Sequence, residues 1–272
     1  MNPDRYAPIG VFDSGLGGLT VVREIMRNLP EERLVYFGDT ARVPYGSKSK
    51  KTIIRFSRQI VRFLKTQNVK AIVVACNTAS SLALDTIKPE LDIPIIGVVR
   101  PGTDMALKTT KNKRIGVIAT EGTINSGLYQ KLLTEADSSI SVFAKACPLF
   151  VPLVEEGWTK DPVTRIVAER YLSDILKNDI DTLIMGCTHY PLLRSLLREV
   201  VGEHVCLVNP AYETALALGS MLDETGLRND GQVELGDRYR FFASDTVEKF
   251  NAFANSILPY EITTTQVPIE NY

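Results

Sequence analysis

Short apolar runs alternate with longer stretches of helical period along most of the chain. Ile9–Phe12 reads as a buried strand, and the spacing over Leu19–Leu29 predicts the helix after it. Leu34–Gly38 is the next strand. Ile53, Ile54, Phe56, Ile60, Val61, Phe63 and Leu64 then recur at the helical period, with Arg55, Arg58, Arg62 and Lys65 on the other positions. Ala71–Ala75 is a β-branched run, a Ser/Thr/Ala-rich helix starts near Asn77, and Ile93–Val98 is a further strand. The order then restarts. Ile115–Ala119 is a strand, Ser126–Ala136 a helix, Ile140–Ala146 a strand, and Val163–Leu176 a helix opened by Asp161-Pro162. Leu183–Gly186 is a strand, with a helix from Pro191. Val205–Val208 is a strand, Tyr212–Leu222 a helix and Arg240–Ala243 the last strand, with Asp245 set to cap a helix running to Ile257. Residues 261–272 show no period. Strands alternating with helices of 10–15 residues specify βαβ units, so the fold class is α/β with parallel-rich sheets.

The pattern also repeats itself. Ile9-Gly10-Val11-Phe12-Asp13 resembles Ile115-Gly116-Val117-Ile118-Ala119. Ala71–Thr78 resembles Thr182–His189, displaced along the chain by nearly the same distance. Two similar α/β halves follow from this echo, and ligands of open α/β sheets bind at the carboxyl ends of the strands. Cys76 and Cys187 both occupy that position, each after an apolar strand and before a predicted helix. Two such halves facing each other bring two thiols to opposite walls of one cleft.

Composition narrows the partners. A net charge of −1 removes the bulk electrostatic reason for nucleic-acid or membrane-surface binding. The longest apolar runs fall far short of the roughly 18 residues of a membrane span, and Asp13 ends the first run too early for a secretory leader. Cys76, Cys147, Cys187 and Cys206 lie far apart with no CxxC spacing, which suits free thiols in a reducing cytoplasm. Only His189 and His204 could join them on a metal, and Cys187-Thr188-His189 is too tight for a common zinc spacing, so no metal is expected. The basic run Lys108–Arg114 reads as a solvated turn before a strand.

A thiol at a helix N-terminus meets unpaired backbone N–H groups that favour its thiolate. A thiolate and a thiol on opposite sides of one carbon are a base and an acid for that carbon, and together they invert its configuration. Asn77-Thr78 and Thr188-His189 supply capping and anion-binding groups beside the two cysteines. Cys147 and Cys206 lack such company and read as small hydrophobes. Asp13-Ser14-Gly15-Leu16-Gly17-Gly18 is neither a Walker A loop nor GxGxxG, so it does not specify a nucleotide. Asp13 is either a helix cap or a carboxylate at the cleft. The turn around Pro44-Tyr45-Gly46 either faces the cleft or lies on the surface. His189 is either a satisfied core histidine or a proton partner of Cys187. Glu155 alone reads as a solvated helix-end charge.

Together, Phe12–Gly18, Gly38–Arg42 with Pro44-Tyr45-Gly46, Ala75–Ala79, Pro148–Leu153 with Glu155, and Gly186–Pro191 resemble the bacterial glutamate racemase family over residues 9–245. The resemblance implies interconversion of L- and D-glutamate without a cofactor, with D-glutamate going into peptidoglycan. It implies that Cys76 takes the α-proton from D-glutamate and Cys187 from L-glutamate. Asp13 would assist Cys76, and His189, with Glu155 nearby, would assist Cys187. Ser14, Tyr45, Gly46, Asn77, Thr78, Thr123, Thr188 and His189, with Asp13, would hold the substrate. It further implies two pseudo-symmetric domains, residues 1–98 plus 210–272 and residues 99–209, in a cytoplasmic homodimer.

A class of this family with a longer N-terminus is activated by a cell-wall precursor. The chain begins a few residues before its first strand, so no such dependence is expected. Arg100 in Val99-Arg100-Pro101-Gly102 departs from the family pattern without touching a catalytic role. The competing readings are a racemase of aspartate or a hydantoin, a non-catalytic regulatory protein on the same scaffold, and a thiol-redox enzyme.

Overall fold

The computed structural model describes residues 4–231 and 238–272. Its described strands form two sheets, and every strand pair is parallel. The first sheet contains β1 (Ile9–Asp13), β2 (Leu34–Gly38), β3 (Ala71–Val74), β4 (Ile95–Gly97), β9 (Tyr239–Ala243) and β10 (Thr264–Gln266). Its order is β10-β9-β2-β1-β3-β4. The second contains β5 (Arg114–Ala119), β6 (Ser141–Ala146), β7 (Thr182–Gly186) and β8 (Cys206–Val208), in the order β6-β5-β7-β8.

The two orders explain the sequence echo. Strands 2-1-3-4 of the first sheet and 6-5-7-8 of the second have the same topology, with β1 equivalent to β5 and β3 to β7. Cys76 and Cys187 therefore leave equivalent strands. In each sheet the first strand of the series has neighbours on both sides that are reached in opposite directions, and a ligand crevice opens at such a switch point.

The apolar runs are continuous because helices cover both faces of the sheets. In the first half Ile9 and Val11 face one cluster with Tyr36 and Val73, while Phe12 faces the other with Phe37 and Val74. The helices there are α1 (Leu19–Asn28), α2 (Lys50–Thr66), α3 (Asn77–Leu82) and α4 (Leu84–Ile87). Next come α5 (Val99–Thr109), α6 (Glu121–Asn125), α7 (Leu128–Ala136), α8 (Phe150–Glu155), α9 (Pro162–Leu176) and α10 (Arg194–Val201). The chain then enters α11 (Pro210–Glu224), which packs on α1 and α5, and later α12 (Val247–Ile257).

Several boundaries differ from the periodicity. The helix expected over Ser126–Ala136 starts two residues later, at Leu128, because Gly127 takes a left-handed φ of 66° at its N-cap, and a short helix that the periodicity did not show, α6, precedes it. The stretch from Pro191 opens as a 3-10 turn, Tyr190–Leu193, before α10, so Cys187 does not directly precede an α-helix. Asp245 does not cap α12. Its Oδ1 accepts the adjacent Thr246 N–H at 2.8 Å, and Thr246 enters the helix at φ 51°. The region 261–272, without period in the sequence, contributes β10 at the sheet edge, paired Thr264 to Phe241. Three residues are too few to display an alternation. The basic run 108–114 is the end of α5 and a turn into β5, as expected.

Candidate active site

A cavity of about 360 Å³ opens between the carboxyl ends of the two sheets. Ser14, Tyr45, Gly46, Cys76, Asn77 and Thr78 line it from the first half, and Thr120, Glu121, Glu155, Cys187, Thr188 and His189 from the second. Val43, Pro44, Pro148, Val151 and Pro152 complete an apolar collar. Both thiols thus face one space, of a size suited to a small ligand.

Cys76 is the N-cap of α3. It turns out of β3 in an extended conformation, and its Sγ accepts the Ala79 N–H at 3.5 Å. Burial pushes its thiol up to about 12, and the charge of Asp13 pushes the same way. The Ala79 N–H and the Ser14 hydroxyl pull back. Asp13 ends β1, fully buried. Its Oδ2 accepts the Gly15 N–H at 3.0 Å, and its Oδ1 accepts the Thr188 hydroxyl at 3.3 Å. Burial raises its carboxyl above the ordinary range against the opposing pull of His189 and the Gly15 and Gly18 N–H groups. Asp13 is not among the residues lining the cavity; it stands behind Ser14 and couples electrostatically to Cys76.

The opposite wall is built differently. His189 sits two residues beyond Cys187, with Nδ1 3.8 Å from the Cys187 Sγ and Nε2 3.0 Å from Glu155 Oε1 at the end of α8. Burial alone pulls an imidazole down, but the bonds to Cys187 and Glu155 outweigh it and carry His189 up to about 10. The ring touches the sulfur with one nitrogen and the carboxylate with the other, so it can carry a proton between them. Burial lifts Glu155, and the His189 hydrogen bond and charge bring it below its ordinary value. Glu155 therefore lines the cavity and is not a solvated helix-end charge, and His189 lies in contact with Cys187 instead of being satisfied within a core.

The seam between the halves is tight. A Cβ on Gly17 would meet Thr188 Oγ1 at 2.3 Å and His189 Nδ1 at 2.5 Å, and one on Gly46 would meet Thr120 Cβ at 2.7 Å. Only glycine permits these approaches. Thr20 Oγ1 donates to the Thr188 carbonyl at 2.9 Å, and the hydroxyls of Thr78, Thr120 and Thr123 form a triangle across the seam. The Tyr45 hydroxyl donates to Asp39, which also accepts from Arg42 and Ser244, so the Tyr45-Gly46 turn is anchored into the cleft.

Of the residues expected to hold a ligand, Ser14, Tyr45, Gly46, Asn77, Thr78, Thr188 and His189 line the cavity, while Thr123 stands behind Thr78 and Thr120. Sequence reasoning missed Thr120 and Glu121, and it placed Pro44 at the cleft only as one of two alternatives and Pro148, Val151 and Pro152 only within a resembling motif. Thr120 had a signal: it follows β5 as Ser14 follows β1. Cys147 is buried outside the cavity and Cys206 is exposed. Among the described residues no group of three or more His, Cys, Asp or Glu side chains is placed to hold a metal ion, and no helix is long and apolar enough to cross a membrane. Chemically, the cavity offers two sulfurs, each backed by a different proton-handling group, around one small ligand.

Residues 9–216 match the family model described as Asp/Glu/Hydantoin racemase. A glutamate racemase of Geobacter metallireducens is 47% identical over 253 residues, which cover 93% of this chain and 93% of that protein. The crystal structure of a glutamate racemase isoform of Bacillus anthracis superposes with a TM-score of 0.92 at 42% identity, covering 97% of this chain and 98% of that one. That of the Francisella tularensis glutamate racemase in complex with D-glutamate gives 0.91 at 38% identity, covering 98% and 100%.

Proposed function

The chain belongs to the Asp/Glu/Hydantoin racemase family and racemises glutamate, and from that premise we propose that Cys76 and Cys187 are its two bases. The observation that carries this reading is that both cysteines line the same cavity. With L-glutamate bound, Cys187 as thiolate removes the α-proton from one face. The carbanion is reprotonated on the other face by the Cys76 thiol, which burial keeps protonated. The reverse sequence converts D-glutamate. One proton leaves and one arrives in each turnover, so the scheme needs no cofactor.

Each cysteine must then be reset. His189, hydrogen-bonded to Cys187 and held by Glu155, exchanges a proton with that sulfur. Asp13, with its raised carboxyl, does so for Cys76. The α-proton is a far weaker acid than a thiol, so the site must stabilise charge that spreads into the α-carboxylate. Donors aimed from Ser14, the Tyr45-Gly46 turn, Asn77, Thr78, Thr188 and His189 serve this, and one well-aimed donor contributes roughly 3–4 kcal/mol. Thr123 acts through Thr78.

The division into residues 1–98 plus 210–272 and residues 99–209 belongs to this reading and is supported by the separate sheets. So do supply of D-glutamate for peptidoglycan, a cytoplasmic location and a homodimer, which rest on the family resemblance; light scattering in solution tests the dimer. Turnover in deuterium oxide tests the mechanism. Product of either enantiomer should carry solvent deuterium at the α-carbon, and aspartate assayed alongside should turn over far more slowly. Cys76→Ala and Cys187→Ala should each lose at least about a thousandfold in kcat/KM. Near-normal turnover in either variant refutes the two-base scheme.

A further inference from the structure

Of the hydrogen bonds that cross between the halves one residue beyond a cysteine, two differ in the kind of group they hold. Thr20 holds the Thr188 carbonyl, a backbone group whose direction the chain already fixes. The Tyr129 hydroxyl, from α7 of the second half, donates to Asn77 Oδ1 at 2.7 Å. This second bond holds a side-chain amide, whose terminal torsion has two broad, nearly equivalent settings when nothing selects between them.

Tyr129 is 4% exposed, and its ring is set by the Cys187 strand: a Cβ added at Gly186 would lie 3.1 Å from Tyr129 Cε2. Gly186 immediately precedes Cys187. One side chain therefore rests its ring on the residue before one cysteine and its hydroxyl on the residue after the other. Burial and the neighbouring Cys187 keep the phenol protonated and able to donate, and its hydroxyl donates to the Asn77 amide oxygen. The amide NH2 is then what Asn77 has left for the cavity it lines. In the opposite setting a carbonyl oxygen would meet a substrate carboxylate.

We propose that Tyr129 is a positioning residue that aims the Asn77 amide N–H groups at a substrate carboxylate, and that it does so only while the Cys187 strand is docked against the Cys76 wall. The inference rests on the cavity being the glutamate site. It makes assembly of one wall's donors depend on the position of the other half.

The test compares Tyr129→Phe, Asn77→Ala and the double variant, with glutamate as the probe. Tyr129→Phe keeps the ring and its packing on Gly186. It should lower kcat/KM roughly tenfold or more, the range for a hydrogen bond to a charged group. The loss should appear in KM, because the donor already meets the bound carboxylate, and in kcat as well, because charge grows on that carboxylate in the transition state. The double variant should be no worse than Asn77→Ala alone, since Tyr129 acts only through Asn77. An unchanged KM and kcat in Tyr129→Phe, or losses that multiply in the double variant, overturn the proposal. Should Tyr129→Phe not fold, Asn77→Asp decides. It keeps an acceptor for Tyr129 but turns an anionic oxygen to the cavity, so its KM should exceed that of Asn77→Ala, and a KM at or below it overturns the proposal. The cysteine variants separate the two levels: active cysteine variants sink the two-base reading, whereas inert ones beside a fully active Tyr129→Phe sink only the role of Tyr129.

Discussion

The two walls of the cavity descend from equivalent strands and are chemically unlike. On the β3 side Cys76 caps a helix, is buried to a thiol pushed up to about 12, and has the Asp13 carboxylate behind it. On the β7 side Cys187 leads into a 3-10 turn and faces an imidazole carried up to about 10, with Glu155 beyond. Repeated topology has placed the sulfurs, and non-repeated side chains have given them opposite electrostatic neighbours. The difference teaches that inversion of a nearly symmetric carbon does not need a symmetric site. It needs one wall resting with its proton and the other ready to take one, and a scaffold that puts both within reach of the same atom.

The sharpest way to break this comparison is to neutralise each wall separately. Asp13→Asn and His189→Asn should each lower kcat/KM by about a hundredfold, the lower part of the range for general acid–base groups. The two enantiomers have equal free energies, so kcat/KM must remain equal in the two directions for every variant. The asymmetry has to be read elsewhere, in the primary isotope effect with α-deuterated substrate. On the proposed two-base scheme His189→Asn should enlarge that effect for L-glutamate, whose proton is assigned to Cys187, and Asp13→Asn should enlarge it for D-glutamate. Equal isotope effects in both directions in both variants would mean that the walls are not specialised.

How far the sequence exposes this arrangement depends on burial. Ile9–Phe12 and Ala71–Ala75 are legible because a parallel strand covered on both faces must be apolar throughout. Cys76 and Cys187 are legible because the echo aligns them at strand ends. The same echo contains Thr120, since it follows β5 as Ser14 follows β1, yet the family motif points to Thr123, which proves to stand one layer behind. The collar of Val43, Pro44, Val151 and Pro152 has no periodic signal of its own, because an apolar residue at a cleft reads like one in a core, and only the Pro44 turn and the Pro148–Leu153 motif point to it. Tyr129 is hidden likewise: at helical spacing on α7 it is a core aromatic, and only the position of its hydroxyl shows otherwise. The different surroundings of Asp13 and His189 are supplied by neighbours far apart in the chain, such as Thr188 for Asp13 and Glu155 for His189.

A smaller effect sharpens the Cys187 side through stability. The folded value of His189, about 10, lies above its ordinary 6.5. Its charged contacts therefore stabilise the fold fully below pH 6.5, and that contribution fades as pH rises toward and through 10. Glu155, held below its ordinary 4.5, behaves oppositely: its contribution is present above that value and is lost as pH falls. Urea midpoints measured from pH 6 to 10 should fall more steeply for the native chain than for His189→Asn, which lacks the titrating ring. Parallel curves would mean that His189 is not charged in the folded state.

The smallest expected effect concerns the cysteines that the comparison leaves out. Cys206 is exposed on β8, and Cys147 is buried with its thiol against the Lys145 carbonyl at 3.7 Å. Neither lines the cavity, so neither can reach a carbon held between Cys76 and Cys187. Cys206→Ser should leave kcat and KM within about twofold and shift stability by no more than about 0.5 kcal/mol, as surface changes do. A thiol-alkylating reagent supplies the contrast. Cys206 should be modified first, being the exposed thiol, without loss of activity. Inactivation should follow the slower modification of a cavity thiol and be prevented by saturating glutamate. If alkylation of Cys206 alone abolished racemisation, residues outside the cavity would have to govern the chemistry, and the two walls would no longer account for it.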